Sequence, residues 1–106
     1  MTERGSAMEF LVEFEVHVPA GTPQSEVADR EKAESAAAAK LADKGHLVRL
    51  WRRSRVGGGA TAVGLYRADS EAQLDVLLAD LPLADWLRVT VTPLASHPND
   101  PAPVAR

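Results

Sequence analysis

The chain contains no cysteine, which excludes disulfides, thiolate nucleophiles and cysteine-based metal sites. Aromatic residues are scarce at 5%, too few to supply the exposed rings on which an RNA-binding sheet stacks bases. Neither sign of charge dominates. Twelve Lys and Arg against 15 Asp and Glu give a formal net charge of −3, so there is no global basic field to gather nucleic acid or an anionic membrane. No apolar run approaches the length of a membrane span, and no signal-peptide core follows Met1. The expectation is a cytoplasmic protein that engages neither nucleic acid nor membrane.

The 106 residues, 45% apolar and 25% charged, suffice for one domain with a core but not for a deep active site enclosed by one chain. Pockets in chains of this size are often completed by a neighbouring subunit. Residues 1–7 (MTERGSA) are small and polar and read as a flexible N-terminal extension, native or left over from expression. Residues 8–95 carry the folded domain. The tail, residues 96–106, holds three prolines and little apolar material and is expected to be mobile.

Phe10, Val12, Phe14, Val16 and Val18 alternate with Glu9, Leu11, Glu13, Glu15 and His17, the period of a strand with one buried face. Residues 22–45 read as one long helix, with Thr22 as N-cap, Pro23 in the first turn and Gly45 just past the end. Residues 46–55 (HLVRLWRRSR) form a second strand, with Val48 and Leu50 on one face and Arg49, Trp51, Arg53 and Arg55 on the other. Gly57 to Gly59 make a turn into a third strand over residues 61–66. Ser70 and Gln73 form a capping box for a second helix whose Leu74, Leu77, Leu78 and Leu81 share a stripe. Residues 86–94 make a fourth strand. The order β-α-β-β-α-β is that of an α+β, ferredoxin-like antiparallel sheet with both helices on one face. The other face keeps enough apolar side chains that self-association into a dimeric α+β barrel is expected.

Two glutamates break the pattern of the first helix. At about 100° per residue, Val27, Ala38 and Leu41 define its buried stripe, and Glu31 and Glu34 project into it, Glu34 about 20° from its axis. Asp29, Lys32, Lys40, Asp43 and Lys44 point away. A core-facing carboxylate is costly unless paired or neutral, and burial raises its pKa toward the range useful for proton transfer. The bland alternative is that both glutamates pair with arginines such as Arg49 or Arg52.

The cluster His46, Arg49, Trp51, Arg52 and Arg53 could hold a carboxylate-bearing substrate by bidentate hydrogen bonds and stacking. It could equally be solvated strand charge, or the partner of Glu13 and Glu15 at a subunit contact. The histidines at 17, 46 and 97 show no metal-ligand spacing, and the glycine turn lacks the lysine of a phosphate loop. No metal site is expected.

These segments together carry a resemblance. The glutamate-bearing helix runs into G-H-L-V-R-L-W-R (Gly45 to Arg52), followed by S-E-A-Q-L (Ser70 to Leu74), L-P-L (Leu81 to Leu83) and a terminal His97-Pro98 step. From about Met8 to Asp100 the chain resembles the muconolactone δ-isomerase family. The resemblance implies a ferredoxin-like, homo-oligomeric isomerase of a small molecule that uses no metal or organic cofactor. The family's reaction moves a double bond in a five-membered lactone, turning muconolactone into 3-oxoadipate enol-lactone in aromatic catabolism. The family's acid/base glutamate falls on Glu34, its W-R on Trp51 and Arg52, and its C-terminal His-Pro on His97. Leu47, Val48 and Arg49 stand where typical members carry a Trp and an Arg-His pair, which marks a divergent member.

The resulting expectation assigns Glu34, with Glu31, to catalysis, and His46, Arg49, Trp51, Arg52 and His97 to substrate binding. Arg49, Arg52 or His46 would stabilise a dienolate oxygen. Two other readings stay open: an isomerase or cyclase acting on a larger natural-product intermediate, and a non-catalytic small-molecule-binding module. The last requires Glu34 in contact with an arginine and no cavity beside it.

Overall fold

The structure is a computed structural model that describes residues 7–53 and 61–102. Seven elements follow in order: β1 (Met8–Val16), α1 (Gln24–Asp43), β2 (Leu47–Arg52), β3 (Thr61–Ala68), α2 (Glu71–Ala79), a short 3-10 turn (Ala84–Trp86) and β4 (Leu87–Leu94). The strands form one sheet in the order β2-β3-β1-β4, every neighbouring pair antiparallel. This is the ferredoxin-like arrangement. The glycine turn and the expected continuation of β2 to Arg55 lie outside the described residues, as do residues 1–6 and 103–106.

The two-residue period of β1 is what builds the core. Phe10, Val12 and Phe14 face the helices and are buried. Opposite them on β3 stand Tyr66, Gly64 and Ala62, and on β4 Pro93, Val91 and Val89. Leu74, Leu78 and Leu81 cover that face from the α2 side, and Leu41 from α1. Burial of each large side chain contributes roughly 1.5–3 kcal/mol relative to exposure.

Both helix C-terminal and N-terminal signals are used, with one correction. Gly45 adopts φ +82°, and its N–H donates to Ala42 while that of His46 donates to Leu41. That is the two-bond Schellman stop, which needs the left-handed conformation only glycine adopts freely. Ser70 accepts from the Gln73 N–H, and the Gln73 side chain accepts from the Asp69 N–H. Thr22, expected as the α1 N-cap, instead donates its hydroxyl to Pro19 O at 2.6 Å, and Pro23 occupies the cap position with no side-chain bond. The Pro19–Thr22 turn, with Gly21 at φ +85°, claims the hydroxyl first.

A bulge at the start of β2 interrupts the expected alternation at Leu47 and Val48, while Leu50 and the Arg49/Trp51 pair keep their expected opposite faces. Leu47 opposes Tyr66 but Arg49 opposes Leu65, so the register shifts between them. Leu47, Leu50 and Arg52 consequently share the helix-covered side, while Arg49 and Trp51 stand on the open side. An inserted residue reverses the alternation downstream of it.

The open face carries Leu11, Val63 and Leu65, half-buried, with Trp51 and Leu94 exposed. Ion pairs cross it: Glu9–Arg67 at 2.8 Å, Glu13–Arg53 at 3.3 Å and Glu15–Arg88 at 3.9 Å. Glu13 therefore finds Arg53 within its own chain. Such exposed pairs are worth under about 1 kcal/mol each. No helix among the described residues is long and apolar enough to cross a membrane.

Candidate active site between helix α1 and the sheet

The inward stripe of α1 runs Val27, Arg30, Glu34, Ala37, Ala38 and Leu41. Glu34 sits near its middle, as the periodicity requires. Glu31 does not belong to it: the residue is exposed, about 70° from the stripe's centre at ~100° per residue. Arg30 takes the place in the stripe that sequence reasoning gave to Glu31.

Arg30 and Glu34 together dock the segment between α2 and β4 onto α1. The Arg30 guanidinium donates to Asp85 at 2.7 Å and to Pro82 O at 3.3 Å, and lies 4.3 Å from the centre of the Trp86 ring. One turn on, the Leu83 N–H donates to Glu34 Oε1 at 3.0 Å. Leu81, Leu83 and Trp86 are all buried beneath this clasp. The L-P-L motif therefore forms the wall that α1 closes against the sheet.

Behind that wall is a cavity of about 200 Å³. Glu34, Ser35 and Ala38 line it from α1, Phe14 and Val16 from β1, Leu50 from β2, Ala62 and Tyr66 from β3, Leu87 from β4, and Leu81 and Leu83 from the intervening segment. The small side chains of Ala38 and Ala62 leave this space open. Burial pushes the Glu34 carboxyl above its ordinary value of 4.5, and the Leu83 N–H only partly offsets it. A carboxylate so placed is poised to exchange a proton with a bound molecule. No arginine contacts it among the described residues. Its geometry, a cavity and no ion pair, is the opposite of what the binding-module reading requires.

Glu31 lines a separate cavity of about 210 Å³ with Val16, Val18, Val27, Leu83 and Trp86. The structure thus separates the two glutamates. None of the five residues expected to bind substrate lines the Glu34 cavity. His46 sits past the end of α1, its ring bonded to Arg67 O at 2.8 Å. Arg49 stacks its guanidinium on Trp51, 4.9 Å from the ring centre, on the open face. Arg52 stands beside Ala62 on the cavity's side of the sheet, exposed at edge strand β2. His97 is exposed in the tail, its Nδ1 accepting from the Asn99 N–H. No cluster of three or more His, Asp or Glu side chains able to hold a metal occurs among the described residues.

Sequence reasoning missed Tyr66, which shares the cavity with Glu34. Burial, and secondarily the Glu34 charge, push its phenol up to about 12. The signal was available: it is the chain's single tyrosine, in a strand whose alternation turns it to the helix side.

Residues 8–100 match the family model described as muconolactone delta-isomerase. The muconolactone delta-isomerase of Cupriavidus pinatubonensis is 33% identical over 92 residues, covering 87% of this chain and 97% of that protein. Muconolactone delta-isomerase 1 of Acinetobacter lwoffii is 34% identical over 93 residues, with coverage of 87% and 93%. A crystal structure of muconolactone isomerase superposes with a TM-score of 0.79 at 24% identity, spanning 93% of this chain and all of the other.

Proposed function

The chain belongs to the muconolactone delta-isomerase family, and on that premise we propose that it is a cytoplasmic, cofactor-independent isomerase shifting a double bond in an unsaturated lactone, with Glu34 moving the proton. The observation that carries this reading is a single one. Glu34 borders a cavity large enough for a small ligand, with its carboxyl raised by burial and, among the described residues, with no cation to hold it permanently ionised.

The chemistry asks little else. Glu34 removes a proton from a carbon conjugated to the carbonyl, and the electron pair moves onto the carbonyl oxygen as a dienolate. The now neutral acid returns the same proton to a different carbon. Atoms and electrons balance with no co-reactant, and one group serves both steps while the intermediate stays bound. Of the two arginines considered for a substrate carboxylate, Arg52 is on the cavity's side of the sheet and Arg49 is not. Arg52 is thus the better placed.

The test is a spectrophotometric assay of the purified protein with muconolactone, run beside Glu34→Gln. Turnover that disappears in the variant is the expected result. Wild-type rates in Glu34→Gln would remove Glu34 from the reaction.

One observation favours a second substrate class. Among the described residues, the side chains lining the cavity include no Lys, Arg or His, which suits a neutral, more apolar carbonyl compound. Comparing the lactone acid with its methyl ester separates the two readings: preference for the ester supports the apolar substrate. Self-association through the open sheet face is also part of the proposal, since that face leaves Trp51 and Leu94 about 40% exposed. Sedimentation of wild type against Leu65→Asp tests it, a monomeric wild type being the contrary result.

A further inference from the structure

Gly64 and Tyr66 lie two apart on β3, on the side that faces the helices. A Cβ built at position 64 would sit 2.6 Å from Tyr66 Cε1 and 3.2 Å from its Cδ1. The phenol ring therefore lies along the strand, over the glycine, and reaches toward Ala62. Its ring is tilted at 59° against Phe14 with centres 6.0 Å apart. Phe14, Ala62 and Tyr66 all line the Glu34 cavity. Tyr66 is only 3% exposed, and among the described residues its hydroxyl has no hydrogen-bond partner. The hydroxyl oxygen keeps some accessible surface, so the O–H is free to donate to a molecule that enters the cavity. A mainly apolar cavity, lined by one carboxylate, the exposed Ser35 and the unpartnered Tyr66 O–H, is suited to hold an oxygen that can accept.

We propose that the Tyr66 hydroxyl donates a hydrogen bond to the substrate's carbonyl oxygen and holds the dienolate oxygen while Glu34 carries the proton. This rests on the isomerase reading and extends it to the electrophilic half of the reaction. The proton on Tyr66 stays where it is throughout, since the bond is a donation and not a transfer. The high phenol pKa serves that role, keeping the group a donor across the physiological range. Gly64 is the positioning residue that makes room for the ring.

Tyr66→Phe removes one oxygen and keeps the ring, so the packing over Gly64 survives. In the turnover assay kcat is expected to fall about 10²–10³-fold, the usual effect of losing one oxyanion donor, with KM nearly unchanged. A binding measurement separates this proposal from the isomerase reading. With Glu34→Gln the cavity lacks an anion, and 4-nitrophenolate then mimics the dienolate oxygen. Its affinity for that variant, read from its visible absorbance, should drop about 10–100-fold on adding Tyr66→Phe. Tyr66-dependent binding without any turnover by wild type would uphold the donor and discard the double-bond shift. Turnover by wild type together with unchanged kcat in Tyr66→Phe would overturn the donor and leave Glu34 in place. Phenolate affinity indifferent to Tyr66, or no phenolate binding to Glu34→Gln, also overturns it.

Discussion

Replacing Glu34 by glutamine should leave the fold at least as stable at neutral pH, although Glu34 is the residue that holds Leu83. Two opposing effects act on the carboxylate. Burial disfavours its charge, and the Leu83 N–H favours it; the net displacement of the pKa is upward from 4.5, so burial wins. The folded protein thus binds this proton more tightly than the unfolded chain. Stability from this group is full below about 4.5 and declines as pH rises through the interval up to the folded value, where it levels off. Glutamine keeps an acceptor for the 3.0 Å Leu83 bond and never carries the charge. Glu34→Gln should therefore melt at or above the wild-type temperature at pH 7, with the advantage shrinking on acidification toward 4.5. Alanine is the contrasting control. It orphans the Leu83 N–H, and for a half-buried bond the loss is about 1–2 kcal/mol, or roughly 5–15 °C at the ~4–8 °C per kcal/mol of a small domain. Differential scanning calorimetry of the three proteins across pH 4–8 measures both effects. A Glu34→Gln variant that melts several degrees below wild type at pH 7 but equals it at pH 4.5 would reverse the sign. Glu34 would then be a loop anchor that gains from its charge, not a poised base.

Other expectations follow from the same geometry. The acid limb of the kcat/KM profile should have its midpoint above 4.5, because only ionised Glu34 can take a proton; a midpoint at or below 4.5 contradicts the upward shift. Gly64→Ala should lose about 1–3 kcal/mol by driving a Cβ into the Tyr66 ring. Urea denaturation should show partial recovery of that loss with Tyr66→Leu and none with Tyr66→Phe. Arg30→Met should cost about 1–2 kcal/mol, from the lost cation–π contact to Trp86 and the exposed pair with Asp85. Tryptophan-fluorescence unfolding reads that loss, and KM should rise as the 81–86 segment loosens.

Docking of that segment also explains why the site was only half legible beforehand. Helix periodicity singled out Glu34 because a 3.6-residue repeat projects directly onto a helix surface. The same arithmetic misjudged Glu31, since the stripe's true centre depends on which neighbours α1 touches. Arg30 was not singled out at all, yet Trp86 and Asp85, some 55 positions away, draw it inward. The bulge between Leu47 and Arg49 put Leu47 on the same side as Leu50, a change invisible in an alternating pattern, while the opposite placement of Leu50 and of Arg49 and Trp51 was already legible.

The strands, the two helices, the Gly45 stop, the Ser70 cap and the apolar side of β1 all follow from local rules: period two, period 3.6, and the few residues able to cap or to turn. These are properties of neighbours within a few positions, so the sequence by itself determined them. The cavity was decided only by tertiary structure. It exists where Ala38 and Ala62 leave space under a wall of Leu81 and Leu83, and its polar side chains are Glu34 and Ser35 from α1 and Tyr66 from β3. Their meeting depends on the strand register and on a long-range clasp by Arg30 and Glu34. Each is a relation between distant segments, and no local periodicity encodes it.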